Sequence, residues 1–377
     1  MSASGSVAAP DVADDLRFMT LALALGRRGL GRTWPNPAVG AVVVKHGKIV
    51  GRGWTQPGGR PHAEIEALRR AGAMARGATL YVTLEPCSHH GKSPPCADAV
   101  IAAGIARVVS AMEDPNPEVA GRGHARLRTA GITVDVGIQA ATARRDHAGH
   151  IRRMRDGRPH VTLKLAISAD GKVAGQGGRP IAITGEAVRN RVHLMRAHSD
   201  ALMTGIGTAL ADDPVLTCRL PGMMKMSPVR ALLDTKLRLP QRSRLFATAR
   251  DTPLWIVAGE DAPAAAEEAA RAHGAQVVRT LEKNGRLDLH AVLNLLAARG
   301  ITRLMVEPGP TLASGLIEAD LIDEAVFFHS PMVIGDGGLP SLEPHTVRLF
   351  DERLKRVSSE PVGPDRQESF ERGSDHV

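Results

Sequence analysis

Cysteine is scarce, with three in 377 residues. That excludes a scaffold built on disulfides. Aromatic residues make up 3%, as six Phe, three Trp and a single Tyr spread along the chain. Such sparseness argues against a surface that stacks bases and leaves cores to Ala, Val, Leu and Ile. No apolar run is long enough to span a bilayer: the stretch from Leu16 to Leu25 is too short and Arg17 interrupts it. The opening "MSASGSVAAPDVADD" is small and acidic and lacks the basic start of a secretory signal. The expectation is a soluble cytoplasmic protein with reduced thiols, no membrane partner and no nucleic-acid partner.

What is present is ordinary for a folded cytosolic protein. Hydrophobic residues account for 43% and charged ones for 23%, and the length suggests two domains. The net charge is +8. A basic balance suits nucleic acid, anionic lipid or phosphorylated small molecules, or reflects nothing more than an arginine-rich composition. No basic run exceeds Arg152 to Arg155, so phosphorylated metabolites fit best.

Residues 1–15 read as a disordered arm, followed by a helix from about Asp15 to Arg28. "AVGAVVVKHGKIVGRGW" reads as a hairpin turning at His46-Gly47, and "HAEIEALRRAG" as a helix ended by Gly72. "ATLYVTL", "ARVVSAM" and "TVDVGI" are strands alternating with short helices, which predicts an α/β layered domain with a largely parallel sheet over residues 16–150. "RRDHAGHIRRMRDGRP" reads as a short helix plus linker. A second α/β series runs from "HVTLKLAIS" onward, over residues 159–362, and 363–377 reads as a flexible charged tail.

"TLEPCSHHGKSPPC", residues 83–96, concentrates two of the three cysteines. Cys87 follows a predicted strand and Cys96 precedes a predicted helix, where a thiolate is favoured. A catalytic zinc needs three such ligands and an open position for water. "HAE" at 62–64 supplies the third ligand, His62, and a carboxylate, Glu64, placed to move protons rather than to bind metal. Zinc deaminases combine His-x-Glu with Pro-Cys-x-x-Cys; here Pro86-Cys87 is present but the spacing to Cys96 is longer. Two other readings stay open at this point. One is a closed structural zinc site with His89 or His90 as fourth ligand. The other is a deaminase acting on nucleosides or nucleic acid with an unrelated second domain.

With "PNPAVGAVVV" before it and "AMEDPNPEVAGRG" after it, this stretch resembles the deaminase half of the bifunctional riboflavin-biosynthesis deaminase/reductase family. "KLAISADGKVA", "LMRAHSDALMTGIGTALADDPVLTCR" and "VEPGPTLASGLIEADLIDE" resemble the reductase half. The resemblance implies two α/β/α layered domains, one cytidine-deaminase-like and one dihydrofolate-reductase-like. It implies zinc on His62, Cys87 and Cys96, with Glu64 as the proton carrier. The implied substrate is a diaminopyrimidinone carrying a ribosylamino 5′-phosphate, with Asn36, Lys92 and Asn116 as candidate contacts. As bare residues those three are equally polar turn residues.

For the second half the resemblance implies NADPH-dependent reduction of the ribosyl chain to ribityl. Substrate contacts would be Arg196, Leu216, Arg219 and Glu307, the arginines matching a phosphate. Cofactor contacts would be Ala166, Ala182, Thr208, Asp212 and the turn Gly309, Pro310, Thr311 and Leu312, with Asp170 nearby. Read without the resemblance, "GIGTALADDP" and "VEPGPTLASGL" are strand-to-helix turns, suited to phosphate or simply to capping. No G-x-G-x-x-G follows the first strand of this half. The chain departs from the family at Ala182, where Trp is frequent, and at Pro308, where a small residue is usual. A homodimer or homotetramer through the reductase half is implied as well.

Overall fold

The computed structural model describes residues 12–89, 94–117 and 119–373. The chain divides into two compact units between Arg155 and Asp156.

The first unit is built from α1 (Val12–Arg27), β1 (Gly40–Lys45), β2 (Lys48–Trp54), α2 (Ala63–Ala71), β3 (Thr79–Val82), α3 (Cys96–Ala102), β4 (Arg107–Ser110), α4 (Arg122–Thr129), β5 (Thr133–Val136), α5 (Ala140–Asp146) and α6 (Ala148–Asp156). Its sheet runs in the order β2-β1-β3-β4-β5. The sheet is mixed rather than largely parallel: β1 pairs antiparallel with β2 and β3, and only β3-β4 and β4-β5 are parallel. A two-residue turn at His46-Gly47, both with positive φ, joins β1 to β2, the geometry that matches strand twist.

Alternation along the strands makes two cores. Ala41, Val43, Leu80, Val82 and Val108 face α2, α3 and α4, whereas Val42, Val44, Tyr81 and Val109 face α1 and α5. The α2 helix lies so close to β2 that a Cβ on Gly53 would come within 2.3 Å of the Ala63 carbonyl oxygen. A side chain there would push away the helix turn that carries Glu64.

The second unit contains β6 (His160–Ile167), β7 (Lys172–Ala174), α7 (Glu186–Ala197), β8 (Ala201–Gly205), α8 (Ile206–Asp212), β9 (Val229–Leu233), α9 (Arg244–Ala247), β10 (Leu254–Gly259), α10 (Ala264–Ala272), β11 (Gln276–Thr280), β12 (Glu282–Lys283), β13 (Arg286–Leu287), α11 (Leu289–Ala298), β14 (Arg303–Val306), α12 (Pro310–Glu318), β15 (Glu324–His329), β16 (Leu339–Pro340), α13 (Pro344–Arg353), β17 (Leu354–Val362) and β18 (Asp365–Arg372). Nine strands form one sheet, β11-β10-β9-β8-β14-β6-β15-β18-β17. Those from β11 to β15 are parallel and β18-β17 closes the edge as an antiparallel hairpin.

Contrary to a disordered arm over residues 1–15, the chain is helical from Val12, and Asp15 is buried. Its carboxylate accepts from both terminal nitrogens of Arg107 at 2.8 and 2.7 Å and from the Tyr81 hydroxyl at 2.7 Å. Residues 1–11 lie outside the described part. Contrary to a flexible tail over residues 363–377, Asp365–Arg372 form β18. It is held between β15 and β17, with Asp365 accepting from the Gly185 amide at 2.8 Å. Residues 374–377 lie outside the described part.

Candidate active site

His62 precedes the first residue of α2 in extended conformation and makes no cap hydrogen bond with its side chain, so the ring is free to turn inward. Cys87 follows the end of β3, and Cys96 opens α3. The three donor atoms lie within 4.8 Å of one another. His62 Nδ1 is 3.7 Å from Cys87 Sγ and 3.3 Å from Cys96 Sγ. A tetrahedral zinc, with bonds of about 2.3 Å to sulfur and about 2.0 Å to nitrogen, holds those atoms roughly 3.5 Å apart, so the donor set fits. Among the described residues no other His, Cys, Asp or Glu joins the cluster. His89 is exposed and outside it; His90 lies outside the described residues.

The two thiols are coupled to each other. The Cys87 thiol is pushed down to about 4, chiefly by the hydrogen bond from Cys96, with His62 and the Cys96 amide helping. The Cys96 thiol is pushed up by the same shared proton. Glu64 is buried, and burial lifts its carboxyl to about 7. A buried carboxyl whose pKa lies near neutrality is suited to carrying protons.

Around this centre, Asn36 approaches the far side of the His62 ring, 3.3 Å from Nε2, and donates to the Gly59 carbonyl at 2.8 Å. Asn116 sits in the loop after β4, where its amide donates to Asp114 at 2.9 Å. Lys92 lies outside the described residues. A residue of the motif given no role by sequence reasoning, Glu85, is buried and accepts from the amides of Asp114, Gly121, Gly123 and His124 at 2.7–3.2 Å. It ties the Asn116 loop to the strand end that presents Cys87. Its place between β3 and Pro86-Cys87 was the available signal.

In the second unit a cavity of about 880 Å³ opens over the ends of β8, β9 and β14, within the size range of cofactor pockets. Thr208, Asp212, Gly309, Pro310, Thr311 and Leu312 line it. The two turns meet there: a Cβ on Gly309 would stand 3.1 Å from Thr208 Oγ1. The N-terminus of α12 begins at this wall, a ready anion site. Ala166 and Ala182 are not among the lining residues, although Ile181 is. Lys236, Arg238 and Arg286 also line the cavity; sequence reasoning passed over them because isolated basic residues in "DTKLRLP" and "NGRLD" carry no motif.

Arg196 and Glu307 form a bidentate pair at 2.6 and 2.9 Å, and Arg196 also donates to the Thr217 carbonyl at 3.1 Å. Lys164 stands 4.0 Å from Glu307. Burial acts to raise the Glu307 carboxyl, but Arg196 and Lys164 bring it down to about 2. Leu216, in the segment leading to Thr217, has a φ of 57°, a strained conformation for a branched residue of the kind that collects at functional sites. The Arg219 amide donates to His193 Nδ1 at 3.4 Å, and the residue is exposed. Asp170 accepts from Ser168 and from the amides of Ile334 and Gly335, joining two loops.

The folds and sites define a zinc deaminase fused to a dihydrofolate-reductase-like reductase. Residues 12–112 match the cytidine and deoxycytidylate deaminase zinc-binding region, and residues 159–367 match the RibD C-terminal domain. The chain belongs to the RibD family of riboflavin biosynthesis proteins. It is 44% identical to riboflavin biosynthesis protein RibD of Escherichia coli K12, covering 93% of this chain and 97% of that one. It is 40% identical to that of Aquifex aeolicus, over 95% and 98%. Among solved structures, Acinetobacter baumannii RibD superposes with a TM-score of 0.86 at 33% identity, covering 97% of this chain and all of that one. A Thermotoga maritima protein described as a diaminohydroxyphosphoribosylaminopyrimidine deaminase/5-amino-6-(5-phosphoribosylamino)uracil reductase gives 0.83 at 35% identity, over 96% and 99%. The reading with an unrelated C-terminal domain is thereby set aside. Among the described residues no helix is long and apolar enough to cross a membrane.

Proposed function

We propose that the chain performs two successive steps on one phosphorylated pyrimidine. The N-terminal unit releases ammonia hydrolytically from 2,5-diamino-6-ribosylamino-4(3H)-pyrimidinone 5′-phosphate. The C-terminal unit then reduces the ribosyl chain to ribityl, yielding 5-amino-6-ribitylaminouracil 5′-phosphate. The observation that carries this reading is the His62, Cys87 and Cys96 cluster with the buried Glu64 two residues from its histidine.

His62, Cys87 and Cys96 would hold the zinc, which would supply the acidification of water that hydrolysis at neutral pH needs. Glu64 accepts the proton of the attacking water and returns it to the departing amine; a carboxyl poised near neutral pH suits both directions. Asn36 and Asn116 orient the ring from the two flanking loops, with Lys92 as a phosphate contact. In the reductase NADPH supplies the hydride. Thr208, Asp212 and the Gly309–Leu312 turn hold the cofactor. Lys236, Arg238 and Arg286 offer charge to its phosphates. Arg196, Arg219, Leu216 and Glu307 hold the substrate, the Glu307 carboxylate fixing the Arg196 fork. The reading includes a homo-oligomer acting in the cytoplasm, where thiolate ligands stay reduced.

A complementation assay tests the assignment of steps to units. Glu64→Gln and Arg196→Ala proteins are each expected to fail the two-step conversion, and a mixture of the two to restore it. Failure of the mixture, with both proteins folded, contradicts the assignment.

A further inference from the structure

The stretch "DHAGH", residues 146–150, reads as part of a linker, and it lies beyond the zinc-binding region shared with other deaminases, which ends at 112. Its two histidines are buried and reach into the same end of the first sheet. His147 caps α5, and its Nε2 lies 3.1 Å from Thr83 Oγ1. That hydroxyl accepts from the Gly40 amide at 3.1 Å, and the Thr83 amide donates to the Gly40 carbonyl at 3.1 Å. Gly40 ends the "PNPAVG" segment that begins at Pro35-Asn36. His150, one turn further on, places Nε2 3.1 Å from Asp114 Oδ1. The same oxygen accepts from the Asn116 amide at 2.9 Å, while the Asp114 amide donates to Glu85 at 3.1 Å.

Each histidine therefore grips the base of one loop, and these are the loops that carry Asn36 and Asn116. Both loops leave the edge of the sheet formed by the carboxyl ends of β3 and β4, the side on which open α/β sheets bind ligands. An apolar side chain would fill the same space without the cost of burying imidazole. What the histidines add is direction, since a hydrogen bond fixes an angle that packing does not.

We infer that His147 and His150 are positioning residues of the deaminase, a two-pronged brace that sets the Asn36 and Asn116 loops over the zinc centre. His150 acts on the second loop through Asp114. This rests on the proposed role of the two loops in holding the pyrimidine. The brace also makes the linker helix part of the deaminase unit.

The test uses the full-length zinc protein with His150→Phe, His150→Gln, Asp114→Ala, the His150→Phe/Asp114→Ala double variant and Asn116→Ala. Ammonia release, NADPH oxidation on the deaminated substrate and bound zinc are measured for each. His150→Phe is expected to lower kcat/KM for ammonia release by about 10- to 100-fold, the scale of a small misplacement of reacting groups, mostly through KM. Zinc content and the reductase step should stay unchanged. His150→Gln, which keeps a donor near the Nε2 position, should recover most of the loss, and His150→Phe combined with Asp114→Ala should be no worse than Asp114→Ala alone. A His150→Phe protein within twofold of the parent overturns the brace. So does a loss shared equally by zinc binding, because that is a structural role only. Asn116→Ala reports on the loop separately: if it is silent while His150→Phe is impaired, the brace stands and a different residue of the loop meets the substrate.

Discussion

Replacing Glu64 by Gln separates chemistry from stability, because the structure gives the two opposite signs. Gln keeps the shape of the side chain and leaves His62, Cys87 and Cys96 untouched, so zinc stays bound at one per chain. Proton transfer by a placed carboxyl contributes about 10²–10⁴-fold, so kcat for ammonia release should fall by that factor. Stability moves the other way. In the zinc-free protein burial lifts Glu64 from 4.5 to about 7. A group raised in this way contributes stability that is complete below its unfolded value and is lost as pH rises through its folded one. A shift from 4.5 to about 7 corresponds to roughly 3 kcal/mol lost between pH 4.5 and 8. Gln cannot ionise, so the variant lacks that loss. The assay is urea unfolding of zinc-stripped full-length protein at several pH values, following the transition that added zinc moves. The parent should lose about 3 kcal/mol more than the variant between pH 4.5 and 8. Parallel pH profiles for parent and variant would refute the buried, raised carboxyl. Activity retained by the variant would refute Glu64 as proton carrier.

Cys96→Ser should release zinc and abolish ammonia release while NADPH oxidation on the deaminated substrate continues, as metal analysis and the two assays on one sample will report. Arg196→Ala leaves Glu307 buried without its bidentate partner, with Lys164 still 4.0 Å away, which should cost about 3–5 kcal/mol, eliminate reductase turnover and spare ammonia release. In the parent, Glu307 is held down at about 2, so its contribution is present above pH 4.5 and lost as pH falls through 2; the Arg196→Ala protein should show a weaker acid dependence in the reductase unit. Asp15→Ala removes the buried partner of Arg107, which keeps Asp135 at 2.7 Å. The cost should therefore sit near the lower end, about 3 kcal/mol, with both activities intact in the folded protein.

Much of the metal site was legible because its ligands are chemically distinctive and each sits at the edge of a readable element. His62 opens an amphipathic helix, Cys87 follows a buried strand and Cys96 starts a helix after two prolines. What escaped was whatever depends on a distant partner. Asp15 looks like part of a solvated acidic arm until Arg107 arrives to bury it. The β18 strand has its buried positions at Asp365 and Gln367, so its period of two carries no apolar signal and the segment reads as tail. Glu85, His147 and His150 are single polar residues whose roles are set by backbone amides and loops far along the chain. Lys236 and Arg238 become cavity residues only when β9 is placed beside β8.

The central claim is that one chain performs ammonia release and hydride transfer in that order. Purified protein of known zinc content is given the diaminopyrimidinone ribosyl phosphate, with NADPH either absent or present, and ammonia and NADPH are followed separately. The account predicts ammonia at the same rate in both cases, and NADPH oxidation that lags until the deaminated product has formed. NADPH oxidation that precedes ammonia release, or ammonia release that requires NADPH, would contradict it.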